Sequence, residues 1–428
     1  MENLYPKRNI LCIDLKSFFA SCECIDRGID PFTTPLIVAN PKQGGGAITL
    51  AVTPFLKSKG VPSRGRVFEI PKNVKFITAA PRMSLYIEKS KEVVSIYLDF
   101  VSEEDLHIYS IDECFLDVTD YLKMYNKSDL ELAEEILDTI YKKTGLTATC
   151  GIGPNMLLAK VSMDIEAKHN PNNIAKWTYD DVKKKLWKIS PLSDMWGIGR
   201  RMENNLNKIG IYSIRDLALT DKNLLKDSFG VIGLELWNHA NGIDLSIIKD
   251  YKRASKSVSY SHSQVLFKDY YDDNIKIIIS EMVDVLVSRL RKNKKLTKCI
   301  GFGIGYSREI GGGFYHTIKL DTPTDYASEI LKYCLIIFDK FYEYLPIRKV
   351  TISCGSIVSK DNEQLNLFDS NEINHIDKDS DINSTIDEIK NKFGKNSLLK
   401  GSNLLKDSTA IERNKKIGGH YSWLIEVW

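Results

Sequence analysis

No uninterrupted apolar stretch of this 428-residue chain approaches the length needed to cross a bilayer, and residues 1–9 lack the apolar core of a secretory signal. We therefore expect a cytoplasmic protein with no membrane partner. Cysteines are few and irregularly spaced: of the eight, Cys22 and Cys24 are separated by one residue instead of the two of a zinc-ligand pair. This spacing excludes a disulfide framework and the common zinc sites, so reduced, mostly buried thiols are expected.

A strong excess of charge of one sign is also missing. Lysine and arginine total 59 and aspartate and glutamate 56, which gives a formal net charge of +3. This sum does not by itself indicate a nucleic-acid partner, because a polyanion binder needs a basic surface and the sum does not locate the charges. With 43% apolar and 27% charged residues, the chain is long enough for several cores.

Apolar periodicity predicts an α+β region followed by a small helical domain. The expected strands are 10–13, 36–39, two short ones within 106–118, and 148–152. The expected helices are 17–27, 84–100 and 130–143. The Gly-rich segment 44–46 is interpreted as a flexible hairpin. From 179 to about 242, short helices separated by Gly and Pro predict the helical domain.

A second α+β region follows a polar, basic connector at 249–256. Between 257 and 357 we expect the order strand, helix, strand, strand, helix, strand, with helices at 275–291 and 325–344. Residues 369–384 are rich in Asp, Asn and Ser and are predicted to be a disordered linker, before a helical pattern from 385 to 393. The sequence therefore predicts an α+β multi-domain protein.

Three carboxylates are the strongest candidates for chemistry. Asp14 follows an apolar strand and precedes a helix, where a lone aspartate most often caps the helix. Asp112 and Glu113 lie between two short strands, but Asp-Glu lacks the Asn-Gly or Asp-Gly pattern of a good two-residue turn. Adjacent carboxylates repel each other unless a cation neutralises them, and oxygen ligands without His or Cys favour Mg²⁺. With Asp14 as the third ligand, the set predicts a two-metal clamp for phosphoryl transfer.

Two long segments resemble, in the right order, the signature motifs of bacterial Y-family, UmuC-type translesion DNA polymerases: residues 13–23, IDLKSFFASCE, and residues 109–117, YSIDECFLD. The resemblance implies that Asp14, Asp112 and Glu113 bind two Mg²⁺ ions, with the backbone carbonyl of Leu15 as a further ligand. It implies a right-hand polymerase with a palm at 1–18 and 83–172, fingers at 19–82, a helical thumb at 173–243, a linker at 244–255, a βαββαβ little finger at 256–358 and a tail at 359–428.

The same resemblance implies that two phenylalanines lie next to the sugar of the incoming nucleotide. Phe19 is implied to be the steric gate that excludes a ribose 2′-OH, while Phe18 packs beneath the base or sugar. Both could instead be core residues. Neighbours on a helix point about 100° apart, so only one of the two is expected to face the same core.

Three residues are candidate contacts of the incoming nucleotide. The segment around Thr53 and Lys57 resembles the fingers segment over the nucleotide, although Pro54 stands in the usual aromatic place; an ordinary exposed lysine is the alternative for Lys57. Lys160 ends residues 151–160, GIGPNMLLAK, which resemble the family's strand-to-helix segment with a phosphate-binding lysine. A point cation near the β and γ phosphates suits this chemistry.

Two basic regions are candidate DNA contacts. Residues 196–201, WGIGRR, resemble a helix-hairpin-helix, in which Gly197, Gly199, Arg200 and Arg201 approach a phosphate; a tight helix connection is the alternative. The basic residues of the last α+β region, which could also form a solvated face, are Arg289, Arg291, Lys292, Lys294, Lys295 and Lys298. Phosphate contacts there are expected to be salt-sensitive and independent of base sequence.

Residues 364–368, QLNLF, resemble the peptide by which bacterial polymerases dock on the sliding clamp. Gln364, Leu365, Leu367 and Phe368 are the candidate clamp-binding residues, with packing against the chain's own core as the alternative. Residues 385–428 also resemble UmuC-type proteins, without an assigned role.

The resulting hypothesis is template-directed addition of dNTPs to a primer 3′-OH, with low-fidelity synthesis past damaged bases in DNA repair and SOS mutagenesis. The expected partners are primer-template DNA, dNTPs and the β clamp, and the expected state is a monomer at the nucleoid. A nucleotide cyclase or related palm-type synthase uses similar paired acids, but leaves the hairpin, the basic domain and the clamp-like peptide unexplained. A DNA-bound scaffold without synthesis leaves the three carboxylates unexplained.

Overall fold

The computed structural model describes residues 5–252, 258–360 and 370–421. The chain divides into two compact units, Met1–Arg253 with His420–Trp428, and Ala254–Gly419. Within the described residues, no helix combines the length and apolar character needed to span a membrane. All eight cysteines are free thiols, and all except Cys299 are buried, as predicted.

Strands and helices alternate in the first unit. Its strands are β1 (Ile10–Leu15), β2 (Leu36–Val38), β3 (Ile48–Thr49), β4 (Ala51–Val52), β5 (Gly65–Arg66), β6 (Ile77–Ala79), β7 (Leu106–Ile108), β8 (Glu113–Asp117), β9 (Ala148–Gly153) and β10 (Ile174–Lys176). Its helices are α1 (Phe18–Asp26), α2 (Pro54–Ser58), α3 (Met83–Leu98), α4 (Tyr121–Tyr125), α5 (Asp129–Thr144), α6 (Met156–Ile165), α7 (Asp181–Lys184), α8 (Arg200–Lys208), α9 (Ile214–Leu219), α10 (Lys222–Phe229) and α11 (Val231–Ala240).

A five-stranded sheet in the order β10-β9-β1-β8-β7 forms the centre of the first unit. β1 is the middle strand and runs antiparallel to both β8 and β9. Ile10, Leu11, Cys12 and Ile13 are fully buried, as expected for a short apolar run covered on both faces. The first polar side chain of this strand is Asp14, so an acid lies where the central strand approaches its end.

Helix α6 lies unusually close to β9 because β9 has glycine at the points of contact. A Cβ at Gly151 would lie 2.0 Å from the carbonyl oxygen of Ala159, and a Cβ at Gly153 would lie 2.4 Å from the Ala159 nitrogen. The two glycines therefore set the distance between α6 and the central sheet. This distance determines where Lys160 of α6 can reach.

A smaller sheet of β2, β4 and β6 has its own apolar core. The nearby Gly-rich segment, predicted to be a flexible hairpin, is instead part of a 3₁₀ helix, Pro41–Gly46. The prediction was wrong because Pro41 occupies the first helical position and the Asn40 side chain accepts a hydrogen bond from the Lys42 N–H. Gly44, with φ 55°, supplies a kink within the helix.

The second unit has the predicted order of strands and helices. Its elements are β11 (Tyr260–Tyr270), α12 (Asp272–Lys292), β12 (Lys295–Tyr306), β13 (Gly313–Thr324), α13 (Ala327–Phe341) and β14 (Ile347–Ser359). The four strands form an antiparallel sheet in the order β11-β14-β12-β13. Apolar residues of both helices and all four strands form one core.

The chain continues as α14 (Ser370–Phe393), α15 (Ala410–Asn414), β15 (Lys416–Ile417) and β16 (His420–Tyr421). The disordered linker predicted for 369–384 is therefore wrong over residues 370–384, which are helical. This stretch contains neither Gly nor Pro and continues into the helical pattern after 384. The ion pair of Asp387 with Arg291 of α12, at 2.7 Å, holds α14 within the second unit.

The segment after α14 is attached to the second unit around one buried carboxylate. Glu281 of α12 is 3% exposed and accepts hydrogen bonds from the Ser408 hydroxyl and from the N–H and hydroxyl of Thr409. The Lys400 ammonium pairs with Asp284, one turn along α12, at 2.7 Å. Residues 400–409 are thus part of the packed structure of this unit.

Candidate active site

The three predicted carboxylates come together where β1 and β8 pair. Asp14 lies directly opposite Glu113 in the antiparallel ladder. Asp112 ends the preceding turn, and its carbonyl oxygen accepts a hydrogen bond from the Leu15 N–H at 2.9 Å. The Ser110 hydroxyl donates to Asp112 Oδ1 at 2.6 Å and holds that carboxylate in place. Strand pairing thus brings together acids that are distant in the sequence.

The surroundings of Asp14 shift the pKa of its carboxyl group. The pKa of Asp14 is raised to about 6: burial is the largest cause, the charges of Asp112 and Glu113 act in the same direction, and Lys168 opposes them. The Lys168 ammonium lies 3.6 Å from Asp14 Oδ1. An acid destabilised by burial and by like charges is relieved by a bound cation, so the position suits a cation ligand.

Glu113 is 6% exposed and already has partners inside the protein. Its Oε2 accepts a hydrogen bond from the Lys160 ammonium at 2.9 Å, and its Oε1 accepts one from the Cys12 thiol at 3.3 Å. Lys160 also contacts Asp164, one turn further along α6, at 3.0 Å. Lys160 therefore forms ion pairs with two carboxylates. Its contact with a phosphate stays a prediction.

Lys168 is a site residue that the sequence reasoning missed. It lies in a 3₁₀ turn after α6, with its ammonium 2.8 Å from Asp164 Oδ1 and its side chain 35% exposed. Although desolvation alone lowers the pKa of Lys168, the carboxylates of Asp14 and Asp164 raise it overall. The four-residue spacing of Lys160, Asp164 and Lys168 was the available signal, because such spacing places side chains on one helix face.

The two predicted contacts from the fingers segment differ. Lys57 is exposed at the end of α2. Its pKa is lowered, mainly by desolvation and also by Lys168 and Lys16, while the charges of Asp14 and Asp112 act in the opposite direction, so its ammonium lies within electrostatic reach of the acids. Thr53 is completely buried, and its hydroxyl donates to the Thr34 carbonyl at 2.8 Å. The structure thus gives the Thr53 side chain a role in holding the segment together.

The two phenylalanines differ as helix geometry predicts. Phe18 is 3% exposed within the main core, whereas Phe19 is only partly buried and packs against that core. The Phe19 ring stacks on Tyr86 with a centroid distance of 4.5 Å and an interplanar angle of 19°. Phe19 is thus the one with its ring at the surface.

The chemistry of the donor set fits a divalent cation. Three carboxylates and the Leu15 carbonyl are hard oxygen donors, the kind that Mg²⁺ prefers. Across residues 5–252, 258–360 and 370–421, no group of three or more His, Cys, Asp or Glu side chains is arranged to hold a metal ion. Instead, Glu113 is paired with Lys160, and Asp14 lies beside Lys168.

Comparison with known proteins identifies the family. The impB/mucB/samB family model matches residues 13–164, its C-terminal domain model matches residues 257–367, and the IMS family HHH motif matches residues 179–211. UvrX of Bacillus subtilis, whose name refers to UV-damage repair, is 38% identical over 98% of this chain and 99% of its own length. DNA polymerase IV 2 of the same species is 32% identical over 98% of this chain and 100% of its own length.

This chain belongs to the impB/mucB/samB family. These are the UmuC-type members of the Y-family of translesion DNA polymerases, and the chain is a DNA-directed DNA polymerase with a role in DNA repair. A solved Y-family DNA polymerase chimera, Dbh-Dpo4(243-245)-Dbh, has a TM-score of 0.65 and 18% identity over 82% of this chain and 99% of its own. This likeness confirms the predicted α+β polymerase fold.

The hairpin of this Y-family chain lies before α8. A 3₁₀ turn, Leu192–Asp194, precedes it, and Gly197 has φ 92°, a conformation that glycine adopts without strain. Gly199 is the residue before α8. The first N–H groups of α8 have no intrahelical acceptor and can donate hydrogen bonds to a phosphate. Arg200 and Arg201 are exposed beside it.

The basic residues predicted to contact DNA from the second unit are not equivalent. Arg289 donates to the Ser261 carbonyl at 3.0 Å, and Arg291 pairs with Asp387 of α14. The remaining members are more available: Lys292, Lys294 and Lys298 are exposed and Lys295 is partly exposed.

The candidate clamp-binding residues, Gln364, Leu365, Leu367 and Phe368, lie outside the described residues, so clamp docking stays a prediction.

Proposed function

We propose that this Y-family chain adds dNTPs to a primer 3′-OH under the direction of a template, by a two-metal mechanism at Asp14, Asp112 and Glu113. The observation that carries the proposal is the pairing of Asp14 with Glu113 across β1 and β8, beside the ammonium group of Lys168. Acids that hold cations, next to cations that hold phosphates, are what nucleotidyl transfer requires.

Two Mg²⁺ ions held by the three carboxylates and the Leu15 carbonyl would activate the primer hydroxyl and stabilise the leaving pyrophosphate. The chain's own groups position the nucleotide. Lys57 and Lys168 supply positive charge for the phosphates, and α1 begins beside the acids with N–H groups that have no intrahelical acceptor. Phe19, partly exposed at the first turn of α1, acts as the steric gate against ribonucleotides.

The domain roles follow from this assignment. Residues 1–18 and 83–172 form the palm, 19–82 the fingers, 173–243 the thumb and 256–358 the little finger. The exposed Arg200 and Arg201 near the hairpin, together with the lysines at the end of α12, bind DNA phosphates. Their exposure supports the assignment, because phosphate contacts need accessible charges.

The cellular role extends the same proposal. The chain carries out low-fidelity synthesis past damaged bases in SOS mutagenesis, as a monomer in the cytoplasm at the nucleoid. Residues 364–368 dock on the β sliding clamp. The support for this part is the QLNLF sequence and the name of the relative UvrX, which refers to UV damage.

Single-nucleotide insertion tests the proposal. Each dNTP is offered alone, with Mg²⁺, opposite each template base and opposite a damaged base, on a labelled primer. We expect insertion to depend on the primer, to favour the complementary dNTP and to continue opposite the damaged base. Insertion that ignores the template base, or a cyclic nucleotide formed without primer, would contradict the proposal.

A further inference from the structure

The edge strand β11 carries two polar side chains on the face that it turns towards the core of the second unit. Alternate residues of a strand share a face, so His262 and Gln264 lie on the same side as the buried Leu266. The polar pair meets the segment after α14. The Gln264 amide donates to the Thr409 hydroxyl at 3.0 Å and accepts a hydrogen bond from Arg413 of α15. The start of α15 therefore lies against this face of β11.

His262 is a neutral imidazole among positive charges. Its Nε2 is buried and has no hydrogen-bond partner in the part of the chain that the structure describes. The pKa of His262 is lowered to about 4, mainly by burial, with Arg413, Arg289 and Lys395 acting in the same direction. These three cations belong to α15, to α12 and to the segment after α14. The imidazole is therefore uncharged at neutral pH, and positive charge approaches it from three parts of the unit.

Hydrogen bonds place the same cations beside His262. Arg289 donates to the carbonyl of Ser261, the residue before His262, at 3.0 Å. The Asn414 side chain, at the end of α15, donates to the Asn396 side chain at 2.8 Å. This bond ties the segment that carries Lys395 to the helix that carries the buried arginine. Lys395 itself is exposed, so the group of cations is accessible from solvent.

Arg413 is buried without a close anion. Its side chain is 17% exposed, and within the described ranges its one ion pair is with Glu281, at 3.8 Å. That carboxylate already accepts hydrogen bonds from Ser408 and Thr409. The pKa of Arg413 is lowered, mainly by burial, while the charges of Glu281 and Asp284 act in the opposite direction. Because burial of a charge costs free energy unless a partner compensates it, this guanidinium is suited to a further anion.

We propose that Arg413, Arg289, Lys395 and His262 form a phosphate-binding site in the second unit, which takes a phosphate group of a DNA strand or of a free nucleotide. Phosphate oxygens accept hydrogen bonds from a guanidinium in a geometry that suits both groups, and their charge compensates the three cations. With its proton on Nε2, the neutral imidazole donates a further hydrogen bond. The site is independent of the proposed catalytic role of the carboxylates in the first unit.

A titration of the full chain with inorganic phosphate, in the absence of Mg²⁺, tests the site. The imidazole signals are followed by NMR of protein that carries isotope-labelled histidine, and the His262 signal is identified by its loss in His262→Asn. We expect this signal to shift and to reach saturation as phosphate is added. Sodium chloride at the same ionic strength should not produce a saturable shift. A phosphate response that is absent or does not saturate would overturn the proposal.

Charge-removing variants locate the binding. Arg413→Gln is expected to weaken phosphate binding by about tenfold, the loss of one charge-assisted hydrogen bond. Lys395→Gln, at an exposed position where folding is not at risk, should weaken it by about threefold. Lys415→Gln is the matched control, because it removes a charge of the same segment that pairs with Glu412 at 3.0 Å; its affinity should equal that of the natural chain. Equal affinities in the natural chain and in both site variants would overturn the proposal.

Two further titrations identify the source of the phosphate. A single-stranded oligonucleotide and a dNTP each replace inorganic phosphate, and the His262 signal is followed again. Saturation at a lower concentration of the oligonucleotide than of the dNTP assigns the site to DNA, and the reverse order assigns it to a free nucleotide. Asp112→Asn with Glu113→Gln should give the same curves, so a failure of the proposed catalysis would leave this result intact. No saturable response to either ligand would contradict the proposed site.

Discussion

The Lys160 ammonium lies 2.9 Å from Glu113 Oε2, and the two side chains are only 9% and 8% exposed. Removing one partner leaves the other as a buried, unpaired charge. Lys160→Met is therefore expected to lower the free energy of unfolding of the first unit by about 3–5 kcal/mol. Tryptophan fluorescence in urea measures this, because all six tryptophans lie outside residues 254–419.

Lys168→Met is the matched control for stability, because its side chain is 35% exposed. Its loss should change the free energy of unfolding by about 1 kcal/mol or less. Equal losses in the free energy of unfolding would show that the Lys160–Glu113 pair contributes no more to stability than the contacts of Lys168.

Lys168 is expected to act on nucleotide binding. Lys168→Ala should raise the KM for dNTP by about tenfold, the loss of one charge-assisted contact, with a smaller change in kcat. Steady-state insertion kinetics measure both constants. Lys142→Ala, which removes a 72% exposed lysine of α5, should leave both unchanged. An unaltered KM in the Lys168 variant would exclude it from the phosphate site.

Gly151 is expected to tolerate no side chain. Gly151→Ala places a Cβ 2.0 Å from the Ala159 carbonyl oxygen, so α6 must shift from the sheet. We expect a loss of about 1–3 kcal/mol in the free energy of unfolding, together with reduced insertion, because α6 carries Lys160. Gly46→Ala, where a Cβ would meet nothing within 4 Å, should stay within about 0.5 kcal/mol. Similar stability of the two variants in urea would show that the close approach of α6 to β9 does not depend on Gly151.

His262 should make the second unit sensitive to acid. Its Nε2 is buried without a hydrogen-bond partner in the described structure. Its pKa is lowered from 6.5 to about 4, mainly by burial, with Arg413, Arg289 and Lys395 acting in the same direction. Because the unfolded chain then binds the proton more tightly, stability should be full above pH 6.5 and decline as pH falls towards 4.

Hydrogen exchange of β11 and α12 amides between pH 7 and 4, corrected for intrinsic exchange rates, measures this loss. His262→Asn removes the titrating group and should flatten the pH dependence of protection. An identical slope in both proteins would show that other groups control the acid sensitivity.

The sequence predicted that the three acids would lie together, because local pattern was sufficient for this. Asp14, Asp112 and Glu113 were identifiable because each adjoins a short apolar strand, and strands of this kind pair within a sheet. The order of elements in the second unit was predictable for the same reason, since strand and helix periods differ. The helix over 370–384 has the polar composition of a disordered linker, and the absence of Gly and Pro is the signal that distinguishes it.

Other features depend on contacts between distant segments and could not be predicted. Lys168 becomes relevant only because the turn after α6 returns to the end of β1. The stacking of Tyr86 on Phe19 joins α3 to α1, and no local pattern indicates which ring meets which. Glu281 looks like an ordinary surface acid of an amphipathic helix until Ser408 and Thr409 cover it.

We propose that the paired acids catalyse primer extension. The direct measurement is Mg²⁺-dependent extension on intact and damaged templates by the natural chain and by Asp112→Asn with Glu113→Gln, both checked for folding by circular dichroism. Asp117→Asn is the control, because Asp117 lies on the same strand but its carboxylate accepts a hydrogen bond from the Thr119 N–H. The natural and control proteins should extend both templates, and the double variant should bind DNA without extending it. Equal extension by the natural protein and the double variant, or none by either, would contradict catalysis by Asp112 and Glu113.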